Sequence, residues 1–63
     1  MAKPAYRIEA VKGTKTKWIK LVANANGQTV MQGETYRTWW GARRAAKRLA
    51  DKNRFEYREV ING

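Results

Sequence analysis

The sequence predicts a small α+β domain in which a three-stranded antiparallel meander is followed by one helix and a C-terminal strand, β-β-β-α-β. Apolar and polar side chains alternate over residues 5–12 and 54–61, as in strands with one buried face, and residues 17–23 are rich in β-forming side chains. The Asn-Gly pair at 26–27 is typical of a hairpin. Residues 39–52 repeat alanines at helical spacing. With 63 residues, the chain forms a single domain spanning 1–63.

The strands are predicted in the following order. A short polar lead ends at Pro4, and the first strand covers residues 5–12. Residues 13–15 form a turn that contains a glycine, and the second strand covers residues 17–23. After the hairpin, the third strand covers residues 28–32, and Gly33 bends or bulges it before residues 34–36.

The helix is predicted over residues 39–52, with Thr38 as its N-cap and Asn53 as its C-cap. The final strand then covers residues 54–61. At about 100° per residue, the apolar side chains of the helix fall in one stripe that faces the sheet. The stripe consists of Ala42, Ala45, Ala46, Leu49 and Ala50, with Trp39 at its edge. The large core side chains are then expected from Ile8, Ile19, Leu21 and Trp39.

Charge is the most informative feature of the composition. Fourteen Lys and Arg against five Asp and Glu give a net charge of +9. Such an excess predicts a polyanionic partner, although a solvated basic surface without a partner has the same composition. No apolar run reaches the length of a membrane span or a signal peptide, so we expect a cytoplasmic protein without membrane association.

Few residues suited to enzyme chemistry are present. The sequence contains no Ser, His or Cys, which excludes the common nucleophile and base pairs, the usual zinc clusters and disulfides. No two of the acidic residues have the spacing of metal ligands, although the fold could still bring two of them together as a two-carboxylate site. The acidic residues are Glu9, Glu34, Asp51, Glu56 and Glu59. We expect a non-enzymatic binding protein without cofactor or metal. Self-association is the remaining means of stabilising so short a chain.

The main candidate site lies on the helix, opposite to the alanine stripe. Trp40 falls there among the cations Arg43, Arg44, Lys47 and Arg48, about 100° from Trp39. Trp39 is predicted to close the core. For Trp40 two interpretations are open. The ring is a stacking platform within a cationic patch, or it lies over arginine stems, the first hairpin or a second subunit.

The sheet offers a second candidate surface. If Ile19, Leu21 and Ala23 point toward the helix, the alternate residues Trp18, Lys20 and Val22 point to the other face. No second helix is predicted to cover that face. An exposed surface that mixes basic and aromatic groups is expected there, and it would include Arg7, Lys20, Trp18 and Met31.

Two segments, LVANANG and GETYRTWWGARRAAKRLA, resemble the YegP-like family of small domains of unknown function. Residues 19–49 carry the resemblance, at Leu21, Ala23, Asn26, Gly27, Tyr36, Thr38, Ala42 and Leu49. The resemblance implies a β-β-β-α-β unit that assembles in pairs by exchanging its last strand, and hence a homodimer swapped through residues 54–61. The chain departs from the family pattern at Trp39, where lysine is usual, and at Arg44-Ala45-Ala46, where Asn-Gly-Ile is usual.

The segment YRTWWGARRAAKRLA is also similar to the helix start in the three-stranded-sheet DNA-binding domains of phage-type integrases and plant ethylene-response factors. That resemblance implies groove contacts from the first three strands. The additional C-terminal strand of this chain departs from it.

The leading hypothesis is a basic, dimeric nucleic-acid-binding protein of phage or mobile-element type. Basic side chains of the helix, and others on or near the sheet, are expected to contact phosphates, and a tryptophan is expected to stack. The residues are Arg43, Arg44, Lys47, Arg48, Lys20, Arg7 and Arg37, with Trp40 or Trp18 for stacking. A rival hypothesis is an inhibitor or accessory factor that binds an acidic host protein through the same surface. A third is a dimeric structural module without a polyanionic partner.

Overall fold

The computed structural model describes residues 4–62; residues 1–3, where part of the polar lead is predicted, lie outside this range. The elements are β1 (Tyr6–Lys12), β2 (Lys17–Ala23), β3 (Thr29–Tyr36), α1 (Trp39–Asn53) and β4 (Glu56–Ile61). The predicted β-β-β-α-β order is confirmed. The strands form one sheet in the order β3-β2-β1-β4.

The sheet combines antiparallel and parallel pairs. β1, β2 and β3 form the predicted antiparallel meander, whereas β4 pairs with β1 of its own chain in parallel. The helix carries the chain from β3 at one edge to β4 at the other, because strands that run in the same direction require a crossover connection. Ile8 lies opposite Tyr57, and Ala10 lies opposite Glu59.

The core lies between the sheet and a narrow alanine stripe on α1. Ala42, Ala46 and Ala50 are buried against Ile8, Ala10 and Ile19. Leu21, Tyr36, Trp39, Phe55 and Tyr57 pack around this cluster and are partly buried. The expected contributions of Ile8, Ile19, Leu21 and Trp39 are confirmed. The prediction of a wider stripe is wrong, because Ala45 is only half-buried and Leu49 is 39% exposed at the flank of the helix.

The first strand begins at Tyr6 rather than at residue 5. The third strand is longer than predicted, because residues 34–36 continue it beyond Gly33. The predicted irregularity is confirmed, since the pairing with β2 shifts between Trp18–Thr35 and Lys20–Gln32. A Cβ atom on Gly33 would lie 2.6 Å from Cγ1 of Ile19. Glycine therefore lets β3 pass close to the core there.

The hairpin between β2 and β3 is confirmed, and it uses one left-handed residue instead of two. Gly27 has φ 71°, and Asn26 is not among the residues with positive φ. The amide of Gly27 donates to the carbonyl of Ala23 (2.8 Å), and the amide of Ala23 donates to the carbonyl of Gln28 (3.0 Å). In this loop, glycine is therefore needed only at position 27, where the backbone is left-handed.

Thr38 is confirmed as the N-cap, since its hydroxyl accepts from the amide of Gly41 at 3.0 Å. The prediction of Asn53 as C-cap is wrong. Asn53 is the last helical residue, and Arg54 adopts the left-handed conformation that ends the helix (φ 57°, ψ 40°). The amide of Phe55 donates to the carbonyl of Ala50 at 2.8 Å. Because Arg54 and Phe55 complete this cap, the last strand begins at Glu56 and not at residue 54.

Candidate nucleic-acid interface

The two adjacent tryptophans at the start of α1 have different environments. Trp39 packs against the core. Trp40 is 66% exposed, because the next helical position lies about 100° further around the axis. The predicted division between a core tryptophan and a surface tryptophan is confirmed. Most of the Trp40 side chain is exposed, and the guanidinium of Arg44 lies over its ring, as the interpretation with arginine stems expected.

Trp40, Arg43, Arg44 and Lys47 form what we call the helix surface. They line a shallow cavity of about 250 Å³. Their spacing places them on neighbouring turns of one side of the helix. The guanidinium carbon of Arg44 lies 5.1 Å from the centroid of the Trp40 ring, a cation–π distance. A single element therefore presents an aromatic ring and three cations together.

The helix surface continues onto β4 through Glu59 and Tyr57. Nε of Arg43 donates to Oε2 of Glu59 at 2.7 Å, and the hydroxyl of Tyr57 donates to the same oxygen at 2.9 Å. Nζ of Lys47 lies 5.5 Å from the centroid of the Tyr57 ring. Within residues 4–62, Arg44 and Lys47 form no ion pair with a carboxylate. Arg43 is thus oriented by an acid, whereas Arg44 and Lys47 retain their charge for a partner.

These contacts shift the proton affinities of the three groups. The hydrogen bond from Tyr57, and then that from Arg43, hold the pKa of the Glu59 carboxyl below its usual range. Burial, followed by the hydrogen bond to Glu59, raises the pKa of Tyr57. The hydrogen bond to Glu59 raises the pKa of Arg43. Near neutral pH, Glu59 is therefore a carboxylate and Tyr57 a neutral phenol that donates to it.

Sequence reasoning did not include Tyr57 and Glu59 in the site. Alternation along β4 puts Tyr57 and Glu59 on one face of the strand, so this shared face was predictable. The closeness of Glu59 to Arg43 was not predictable, because it depends on β4 lying beside β1 beneath the start of the helix.

The other cations predicted on or near the helix do not line the cavity of the helix surface. Arg48, one turn beyond Arg44, lines a different cavity of about 480 Å³ with Tyr36 and Lys52. Arg37 is exposed in the connection between β3 and α1. The structure therefore brings together three of the four predicted helix cations.

Arg7, Lys20 and Trp18 lie on the face of the sheet away from the helix, as predicted, but that face is not open. Glu9 is 5% exposed at its centre. Nε of Arg7 lies 2.5 Å from one carboxylate oxygen of Glu9, and Nζ of Lys20 lies 3.6 Å from the other. NH1 of Arg7 also donates to Oδ1 of Asn24 at 2.8 Å. The expected exposed basic face is thus wrong, because an internal acid pairs with its cations.

Two neighbours on this face are buried as well, since Val11 and Val22 are each 1% exposed. Met31 does not belong to the face. It pairs with Leu21 and lines an apolar cleft on the helix side of the sheet with Leu49 and Phe55. Trp18 is half-buried beside Gly13. The two predicted surfaces therefore lie on opposite sides of the sheet, and only the helix surface exposes a tryptophan fully among cations.

Across residues 4–62, no helix is long and apolar enough to cross a membrane, and no group of three metal-ligating side chains occurs. The side chains of the helix surface can make cationic contacts, donate hydrogen bonds and offer an aromatic ring. No family model, curated protein or solved structure matches the chain.

Proposed function

We propose that the protein is a non-enzymatic nucleic-acid-binding protein that holds DNA, rather than RNA, through the helix surface. The observation that carries the proposal is the exposed Trp40 ring within a cavity that is otherwise lined by Arg43, Arg44 and Lys47. An aromatic ring next to unpaired cations suits a ligand that combines phosphates with flat bases or sugars.

The cations of the helix surface supply the phosphate contacts. Arg44 and Lys47 have no carboxylate partner among the described residues, and the contact with Glu59 fixes the direction of Arg43. A helix about 10–12 Å in diameter fits the major groove of B-DNA, which is about 12 Å wide. No Asn or Gln lines the cavity. The amide side chains that read adenine are thus missing from this lining. We expect the cations to contact mainly phosphates, and we expect weak sequence selectivity.

Trp40 supplies the apolar part of the contact. Its side chain is largely exposed, and the guanidinium of Arg44 lies over its ring. In a duplex the base faces are already stacked, so the ring contacts sugars and base edges such as the thymine methyl; an unpaired base could stack on it, which contributes about 1–3 kcal/mol. Trp40 therefore adds affinity that does not depend on salt, whereas Arg44 and Lys47 add affinity that does.

Fluorescence anisotropy of a labelled random DNA duplex, measured from low to high NaCl, tests the proposal. We expect Arg44→Ala to weaken binding and to reduce the slope of log K against log salt by about 0.9. Trp40→Ala should weaken binding with little change in that slope. Lys15→Ala is the matched control, since it removes the same charge from the exposed turn between β1 and β2.

Equal effects of Arg44→Ala and Lys15→Ala would show that net charge alone attracts DNA, and an affinity independent of salt would exclude phosphate contacts. If Trp40→Ala and Arg44→Ala leave DNA binding unchanged but both abolish capture of one acidic protein from a cell extract, the helix surface binds a protein instead.

A further inference from the structure

β4 forms an open edge of the sheet, because its only neighbour within residues 4–62 is β1. Its six residues, EYREVI, contain neither Pro nor Lys and pair with β1 in an unbroken register. The other edge, β3, is interrupted by two register shifts, which hinder the addition of a further strand. β4 is therefore the edge that offers regular unpaired amides and carbonyls.

Two opposite charges stand next to each other on β4. Glu56 and Arg58 lie opposite Arg7 and Glu9 of β1, which places both on the face away from the helix. Both are exposed, and neither forms an ion pair within the described chain. An edge that carries one acid and one base two residues apart is complementary to an antiparallel copy of itself.

The charges also select a register. In an antiparallel pair with two-fold symmetry, the residue at the axis faces its own copy. An axis at Arg58 would oppose two arginines, and an axis at Glu59 would oppose two glutamates. An axis at Tyr57 instead opposes Glu56 of each chain with Arg58 of the other. We propose that a second copy of this chain pairs antiparallel along β4, with the two-fold axis at Tyr57.

This pairing has a consequence for the helix surface. Arg43 and Lys47 contact Glu59 and Tyr57 of β4, so the helix surface lies on the β4 side of α1. A two-fold axis perpendicular to the sheet keeps both helices on one side of it. Two helix surfaces then flank the axis of one continuous sheet. The inference about β4 does not depend on what the helix surface binds.

Sedimentation equilibrium from micromolar to millimolar protein tests the pairing with charge variants. Glu56→Arg and Arg58→Glu each oppose like charges twice across the axis, and we expect each to raise the dimer dissociation constant by about tenfold. The double variant Glu56→Arg with Arg58→Glu exchanges the charges and should restore dimerisation. Glu34→Arg, which makes on β3 the same charge change as Glu56→Arg, is the control and should leave dimerisation unchanged. Circular dichroism verifies the fold of each variant.

A wild-type chain that stays monomeric at millimolar concentration overturns the proposal. So does a dimer that either single variant leaves intact, since an exchange of β4 between subunits or a contact elsewhere would not require Glu56 opposite Arg58. Failure of the double variant to recover dimerisation excludes the proposed register.

Discussion

Glu9 is a buried acid on a face of the sheet that has no helix over it. Its carboxylate lies between Arg7 and Lys20, and their side chains are only 14% and 26% exposed. Arg7 in turn bonds Asn24, and Nδ2 of Asn24 donates to the carbonyl of Pro4 at 2.9 Å. Among the described residues no buried side-chain nitrogen or oxygen lacks a hydrogen-bond partner, and this network links Pro4 to the residue that follows β2.

We expect Glu9→Ala to lower the free energy of unfolding by about 3 kcal/mol, because it leaves the largely buried Arg7 without its carboxylate. Urea denaturation followed by tryptophan fluorescence measures the change. Glu34→Ala, which removes an exposed acid from β3, should change stability by less than about 0.5 kcal/mol. Equal effects of the two variants would mean that Arg7 and Lys20 simply become hydrated.

The Tyr57–Glu59–Arg43 cluster predicts a pH dependence in two directions. Because the pKa of Glu59 is lowered, its stabilising contribution is present above the ordinary carboxylate pKa of about 4.3 and is lost as the pH falls through the lowered value. Because the pKa of Tyr57 is raised, its contribution is present below about pH 10 and is lost as the pH rises through the raised value.

An NMR titration of the side-chain carboxyls tests the acid part. Tyr57→Phe removes the largest cause of the Glu59 shift, so the pKa of Glu59 should rise toward its ordinary range. An unchanged Glu59 titration in Tyr57→Phe would show that the hydrogen bond from Tyr57 does not stabilise the carboxylate.

At the scale of the element, the end of α1 gives a prediction that separates two neighbouring positions. Arg54 is a non-glycine residue with φ 57°, a conformation that glycine adopts at little cost. We expect Arg54→Gly to raise the free energy of unfolding by up to about 1 kcal/mol. Asn53→Gly, within the helix, should lower it by a similar amount, since it also removes the bond from Asn53 to the carbonyl of Leu49. Thermal unfolding measures the stability of both variants. If Asn53→Gly were stabilising and Arg54→Gly destabilising, the left-handed cap would lie at Asn53.

The elements were largely predictable, because their signals are local. A hydroxyl at Thr38 caps the helix that follows, and alanines four residues apart reveal its buried stripe. The C-terminal end was not predictable in the same way. Asn favours left-handed conformations more than Arg does, so residue preference pointed to Asn53. The helix continues one residue further, since Phe55 must reach the cluster around the core.

The helix surface was predictable from angular spacing alone, as Trp40, Arg43, Arg44 and Lys47 show. The pairing of Glu9 with Arg7 and Lys20 was not. Arg7 and Glu9 share one face of a strand, and Lys20 joins them only in the register that places Glu9 opposite Lys20. Register between strands is a tertiary property, and alternation within one strand does not encode it.

At the scale of the whole molecule, a net charge of +9 is spread over a body of 37 × 22 × 16 Å. At about 0.01 M salt the Debye length is about 30 Å, so nearly all charges repel one another. At about 0.1 M it is about 10 Å, and only neighbours interact. Salt therefore weakens the repulsion more than it weakens the ion pairs of Glu9, which lie largely out of water.

We expect the urea midpoint to rise as NaCl increases from 0.01 to 0.1 M, because self-repulsion destabilises the compact state of so basic a chain. The rise should be smaller in Arg44→Glu, which lowers the net charge by two units at the helix surface, and essentially unchanged in the neutral substitution Thr14→Ala in the β1–β2 turn. If the midpoint instead falls with salt, the ion pairs at Glu9 and Glu59 outweigh the repulsion among the unpaired cations. In that case repulsion among the basic side chains does not lower the stability of the fold, and an anionic partner would not stabilise it by relieving such repulsion.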